Sequence, residues 1–183
     1  SWPFASCRPH SMTDARTKSI MLRVDQAGEF GATRIYAGQL AVLGNRHPAA
    51  REIRHMAAQE DEHLARFNRL IAERGVRPTI LQPFWHVAGF ALGAATALIG
   101  PEAAMACTAA IETEIEKHYS DQLDELGEDD LELRETIAEF RDDEREHHDT
   151  AIREGAERAP AYTLMSAAIR LGCRAAIRLS ERF

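Results

Sequence analysis

Cysteine is scarce in this chain: three residues, Cys7, Cys107 and Cys173, with no Cys-x-x-Cys pair among them. An odd count without close pairs argues against a disulfide framework or a thiolate metal site and fits a reducing compartment. A basic excess is also missing. The 22 Lys and Arg face 29 Asp and Glu, leaving a formal net charge of −7, which speaks against a general nucleic-acid binder. No convincing run alternates apolar and polar residues as a half-buried strand would. The apolar segment "FWHVAGFALGAATALIG", with prolines at both ends, falls short of the ~20 residues that a membrane-crossing helix needs. The residues before Met12, "SWPFASCRPHS", lack the apolar segment of a secretion signal. Residues 1–12 are therefore expected to be a leader or appended remnant without fixed structure. Residues 13–183 are expected to form one domain, a length that suits a single well-buried core.

What remains is helix, punctuated by Gly and Pro. The first helix is expected from about Thr13 to Leu43, stopping at "GNRHP", and the second from near Pro48 to Gly75. An apolar segment from Phe84 to Ile99 follows and breaks at "GP". Pro101 then opens a third long helix through Glu125, and Asp130 is the expected cap of a fourth reaching Gly155. A final amphipathic helix occupies roughly Ala161 to Glu181. The fold class is all-α: a four-helix bundle with an additional short apolar helix and an amphipathic C-terminal helix.

The chemistry begins at "EREHHD", residues 144–149. Residues three apart share one face of a helix, so Glu144 and His147 can reach a common ion. That spacing alone is weak, because Glu precedes His by three at Glu52/His55, Glu60/His63 and Glu144/His147. An internal repeat separates signal from chance. Glu29 precedes Glu60, and Glu112 precedes Glu144, at nearly equal separations, whereas the same step back from Glu52 lands on Met21. The segments "EFGATRIYAGQ" and "ETEIEKHYSDQ" also match in placing Tyr36 with Tyr119 and Gln39 with Gln122, in a chain with 3 Tyr. Glu, Glu-x-x-His, Glu and Glu-x-x-His on four long helices is the known order of a ferritin-like two-metal carboxylate bundle.

Two divalent cations would balance the four carboxylates of Glu29, Glu60, Glu112 and Glu144, with His63 and His147 giving one imidazole to each. Without cations, four carboxylates converging in a core would repel and be costly to desolvate. A carboxylate-rich site with one imidazole per ion suits Fe or Mn better than Zn. His148 is the alternative to His147, about 100° further round the helix; His147 is preferred because Glu60/His63 uses the same three-residue step. Asp143 can orient a ligand imidazole. Asp143, His118, Tyr119, Tyr36 and His148 are candidate supporting residues, and for each a purely structural role stays open.

With these residues assembled, the chain resembles the demethoxyubiquinone hydroxylase family of ubiquinone biosynthesis. The resemblance runs from "RVDQAGEFGATRIYAGQLAVLG" through "QEDEHLARFN", "RPTILQPFWHVAGFALGAATALIGPEAAMAC" and "FRDDEREHHD" to "CRAAIRLSERF", nearly the whole chain from about Thr17. Gln26 departs from the family's usual His at a position outside the expected ligand set. The resemblance implies a di-iron centre held by the six residues above. It also implies O2-dependent hydroxylation of a polyprenylated ring, 5-demethoxyubiquinol to its 5-hydroxy product, with electrons from an external donor such as NADH or a reductase. A membrane quinone and a lipid-binding partner protein are the implied partners. The implied location is the cytoplasmic side of a bacterial inner membrane or the matrix side of the mitochondrial one.

Beside that resemblance, "FWHVAGFALGAATALIG" has two readings: a buried core helix, or a segment lying against a bilayer and offering a lipid quinone an apolar route. The second reading makes Phe84, Trp85, Phe90, Leu92 and Leu98 the candidates for facing membrane or substrate. Arg170, Arg174 and Arg178 at four-residue spacing fit either anionic headgroups or an ordinary solvated stripe. The competing function is a soluble ferroxidase or iron-storage protein, against which the long apolar segment stands.

Overall fold

The computed structural model describes residues 13–44 and 46–183, and the expectation for residues 1–12 lies outside that range. The described residues form six α-helices and one short 3-10 turn, with no strand among them: α1 (Ala15–Leu43), α2 (Ala49–Glu73), α3 (Gln82–Ile99), α4 (Pro101–Leu126), α5 (Leu131–Arg153), the turn Ala156–Arg158 and α6 (Tyr162–Arg182).

Local chemistry sets the boundaries. Asp14 accepts a hydrogen bond from the Thr17 backbone N–H at 2.7 Å, so α1 begins just after it and not at Thr13. Asp130 caps α5 in the same way through Leu133, and its carboxylate also accepts from both terminal nitrogens of Arg74 at the end of α2. Pro83 sits in the first turn of α3, where a missing N–H costs nothing, and the helix therefore starts slightly before Phe84. Gly100, at φ 154°, is the single residue between α3 and α4, with Pro101 in the first position of α4.

Helices α1 and α2 pack as one pair, α4 and α5 as another, and these four make the bundle. Contacts between Gln39 and Ala104 and between Gln122 and Asp25 show α1 and α4 running antiparallel. Two apolar clusters fill the bundle. One contains Leu22, Phe67, Leu70, Tyr119, Leu133 and Ile137, and the other Tyr36, Ile53, Met56, Met105, Ala106 and Ala109. Each large apolar side chain so buried contributes about 1.5–3 kcal/mol against chain entropy. A polar cluster lies between them, since Tyr119 of the first donates to Glu29 and Tyr36 of the second to Glu112.

Helices α3 and α6 lie outside the bundle and create the space beside it. Helix α3 packs closely on α1: a Cβ at Gly93 would sit 1.9 Å from the Ile35 carbonyl oxygen, and one at Gly38 would sit 2.2 Å from that of Phe90. Helix α6 is held to α4 by Arg170, whose Nε donates to the buried Glu114 carboxylate at 2.6 Å, with Arg174 3.5 Å from the same oxygen. Two of the three stripe arginines thus serve as an anchor within the fold. No helix among the described residues is long and apolar enough to cross a membrane.

The contact between α1 and α3 predicts two substitutions of opposite sign. Gly93→Ala should cost about 1–3 kcal/mol, because backbone must move to admit the methyl group. Gly28→Ala, with nothing within 4 Å of its Cβ, should gain roughly 0.5–1 kcal/mol from helix propensity. Thermal melts of the two variants check both; equal melting temperatures would contradict the packing described.

Candidate metal centre

Glu29 on α1, Glu60 and His63 on α2, Glu112 on α4, and Glu144 and His147 on α5 all point into the bundle and are at most 3% exposed. They form two overlapping groups. In one, Glu29, Glu60, His63 and Glu144 bring donor atoms within 4.8 Å of one another; in the other, Glu60, Glu112, Glu144 and His147 do so. Glu60 and Glu144 belong to both, and so can bridge two ions. The Glu52/His55 pair takes no part, and His55 is exposed.

The repeat in the sequence appears here as an approximate two-fold relation. His63 Nδ1 points inward, 3.4 Å from Glu144 and 3.6 Å from Glu29, while its Nε2 lies 3.0 Å from Asp143 on α5. His147 Nδ1 points inward, 3.1 Å from Glu60 and 3.2 Å from Glu144, while its Nε2 lies 3.1 Å from Gln59 on α2. Each imidazole is therefore held from outside by the residue just before the other half's glutamate. Asp143 steadies His63 and not its own neighbour His147, and Gln59 is the partner that sequence reasoning missed. The repeat held that signal, since Gln59 and Asp143 both stand one place before a paired glutamate. His148 turns away, partly exposed, with its Nδ1 3.2 Å from Asp149.

The two repeat tyrosines complete the cluster. Tyr36 donates to Glu112 at 2.7 Å, and Tyr119 donates to Glu29. Burial and the adjacent carboxylates push both phenols well above their ordinary range, so they remain protonated donors. His118 stands apart from the cluster, near Asp25 and Gln122. Burial pushes the Cys107 and Cys173 thiols up to about 12, which keeps them neutral.

Electrostatics and hydrogen bonding both leave room for cations. Like charges about 4 Å apart repel by roughly 4 kcal/mol at an effective dielectric of 20, so four ionised carboxylates cannot share this volume uncompensated. Burial, then the neighbouring Glu144, pushes Glu60 and Glu112 well above the usual carboxylate range, and burial raises Glu144. Burial also works to raise Glu29, but the close approach of His63 and Glu60 outweighs it and holds that carboxyl low. Burial lowers the His63 imidazole, yet Glu144 and Glu29 override it and raise it to about 11; burial leaves His147 below its ordinary value. One oxygen each of Glu29, Glu112 and Glu144, both oxygens of Glu60 and the inward nitrogen of His63 have no hydrogen-bond partner. Buried polar atoms are rarely left so. The unsatisfied set is the one that a pair of oxygen- and nitrogen-liganded cations would fill, so the residues fit such a centre.

A cavity of about 480 Å³ opens beside the cluster between α1, α3, α4 and α6. Its walls are mainly apolar, including Ile35, Leu92, Ile111, Ile115, Ile169 and Ile177, and Tyr119 joins it to the carboxylates through Glu29. Trp85 and Leu92 also line it, and Leu92 packs against Ile35, Cys107 and Ile111, so these two candidates face inward. Phe84, Phe90 and Leu98 are exposed, at 61%, 37% and 75%.

A helical bundle with this donor set belongs to the ferritin-like class of carboxylate bundles, with buried clusters suited to metal binding. Residues 16–180 match the family model described as ubiquinone biosynthesis protein COQ7, and the chain belongs to that family. A relative from Rhodospirillum rubrum named 3-demethoxyubiquinol 3-hydroxylase is 59% identical over 161 residues, covering 88% of this chain and 76% of the relative. A relative from Rattus norvegicus named NADPH-dependent 3-demethoxyubiquinone 3-hydroxylase, mitochondrial, is 56% identical over 167 residues, covering 89% and 76%. The relative from Saccharomyces cerevisiae named 5-demethoxyubiquinone hydroxylase, mitochondrial, is 44% identical over 192 residues, covering 96% and 82%.

The raised carboxyls predict how the metal-free protein responds to pH. An acid whose folded pKa lies above its unfolded value contributes stability at low pH and loses it as pH rises through the folded pKa. Glu60 and Glu112 are such acids, and His63, raised to about 11, acts in the same direction above its ordinary 6.5. His147, lowered, changes charge only below that value. Between about pH 6.5 and 8.5 the chelated protein should therefore lose stability as pH rises, and divalent metal should remove most of that slope. Melting curves across the window, with and without metal, check this; a flat profile in chelator would contradict it.

Proposed function

We propose that this chain is a two-metal monooxygenase that hydroxylates the ring of a polyprenylated demethoxyubiquinol in ubiquinone biosynthesis. The observation that carries the proposal is the apolar cavity ending at Tyr119, one hydrogen bond away from a carboxylate cluster suited to two cations. The relatives' names supply the substrate class and the reaction.

In this reading Glu29, Glu60 and His63 would hold one iron ion and Glu112, Glu144 and His147 the other, Glu60 and Glu144 being members of both donor groups. Bound iron would supply the electrons and open coordination positions that O2 reduction requires. The chain's own residues do the rest. Asp143 and Gln59 hold the imidazoles with their inward nitrogens unprotonated, so both can act as ligands. Tyr36 and Tyr119 stabilise ionised glutamate by donating to it. The apolar wall excludes water from the ring and gives the prenyl tail a place to lie. The rat relative's name carries NADPH dependence, and a reduced nicotinamide is the proposed source of electrons.

A lipid quinone also requires a bilayer. Helices α3 and α6 wall the cavity and carry exposed apolar side chains: Phe84, Val87 and Leu98 on the first, Leu164 and Leu171 on the second. This reading has them resting in the headgroup region as a peripheral anchor, with the cavity between them open to the membrane. A storage or ferroxidase role gives no reason for that cavity.

Protein loaded anaerobically with ferrous iron and mixed with demethoxyubiquinol, O2 and reductant should yield a product one oxygen atom heavier, detected by mass spectrometry. Oxidation of iron with no quinol product would contradict the proposal. Leu98→Lys combined with Leu171→Lys should weaken liposome binding and slow turnover of long-tailed substrate by about tenfold or more, given the cost of a charge in an interfacial apolar face. Turnover of a short-tailed, water-soluble quinol should be kept. Unchanged liposome binding would remove α3 and α6 as the anchor.

A further inference from the structure

The approximate two-fold symmetry is broken at one place that the metal cluster does not explain. Counting from the first glutamate of each half, Asp25 corresponds to Thr108, His118 to Ile35, and Gln122 to Gln39. Gln39 meets only neutral groups, its Nε2 donating to the Ala104 carbonyl at 3.0 Å and lying 3.4 Å from the Thr108 hydroxyl. At the other end of the α1–α4 pairing, the corresponding amide meets a carboxyl group and an imidazole. Gln122 Nε2 donates to Asp25 Oδ1 at 2.8 Å and lies 3.0 Å from His118 Nε2, which is 3.4 Å from the same aspartate oxygen. Packing of α1 on α4 does not require this, since a neutral threonine serves the same place in the other half.

The Asp25 version lies on the cavity. Asp25 and His118 both line it, and Asp25 is 2% exposed. The second Asp25 oxygen, Oδ2, has no hydrogen-bond partner, and neither has the indole nitrogen of Trp85, which reaches the same cavity from α3. An apolar space thus contains one unfilled strong acceptor and one unfilled donor, beside the tyrosine that touches Glu29.

We propose that Asp25, steadied by Gln122 and His118, binds a hydroxyl group of the substrate ring through its unpartnered oxygen. The inference rests on the quinol reading above and adds how the ring is held: Asp25 accepts from a reduced ring's O–H and can accept nothing from the oxidised quinone, which has only carbonyls. Trp85 donates to a ring oxygen present in both forms. Asp25 therefore selects the redox state of the ligand and fixes its orientation.

The test is anaerobic calorimetric titration of the metal-loaded protein with a short-tailed methoxyhydroquinone, its quinone, and its two mono-methyl ethers. The parent should bind the hydroquinone about tenfold tighter than the quinone, as one added hydrogen bond to a buried acceptor implies. One ether should bind as weakly as the quinone, because methylation removes the donor, and this measurement needs no variant. Asp25→Asn, and Asp25→Thr, which copies the residue of the other half, should bring the two redox forms within about threefold of each other. A parent that shows no preference, or loses nothing with either ether, overturns the inference and leaves the quinol reading standing. So does a variant that melts at a lower temperature but keeps the full preference, for then Asp25 only ties α1 to α4. A parent that binds neither redox form overturns both.

Discussion

Four buried glutamates facing one another across a helical bundle are a constraint on everything around them. Each must come from a different helix, so four helices must be long enough, and in fixed register, to bring single residues to one level. Their charge must be compensated, and the polar atoms left unpaired around Glu60, Glu112 and His63 mark where compensation is expected. The apolar clusters above and below supply the stability that the cluster itself does not. Their tyrosines, Tyr119 and Tyr36, bind the middle layer to the packed ends.

An approximate two-fold arrangement is an economical way to build such a centre, because one helical hairpin used twice gives two equivalent halves. The structure keeps that symmetry in the imidazoles, whose outer nitrogens are held crosswise by Asp143 and Gln59. It abandons symmetry where the two halves face different surroundings. On the cavity side α1 and α4 meet α3 and α6, whose small residues permit close approach at Gly93 while leaving space near Gly28, Gly31 and Gly172. A carboxylate cluster alone would be a place for cations. A centre with an apolar space on one side is suited to act on a lipid.

Much of this was legible in the sequence. The helices fall within a few residues of where Gly, Pro and Asp punctuation put them, because those residues act locally through caps such as Asp14 and Asp130. The six donors came from a repeat, a signal that survives without coordinates. What was not legible depends on contacts between helices distant in sequence. Asp143 was a candidate to orient an imidazole, but only the packing of α5 against α2 shows that it meets His63 and not its neighbour His147. Leu92 and Trp85 were grouped with Phe84 and Leu98 by composition, and only the packing of α3 on α1 and α4 separates an inner from an outer face. The basic stripe on α6 fitted either anionic headgroups or solvent, because its partner, Glu114, lies buried on another helix.

The central claim is that Glu29, Glu60, His63, Glu112, Glu144 and His147 form one two-ion centre. Metal analysis of protein reconstituted anaerobically with ferrous iron and freed of excess metal tests it most directly. The account predicts close to two ions per chain in the parent and loss of at least one in Glu112→Ala. A parent ratio near zero, or a Glu112→Ala ratio equal to the parent's, would contradict it.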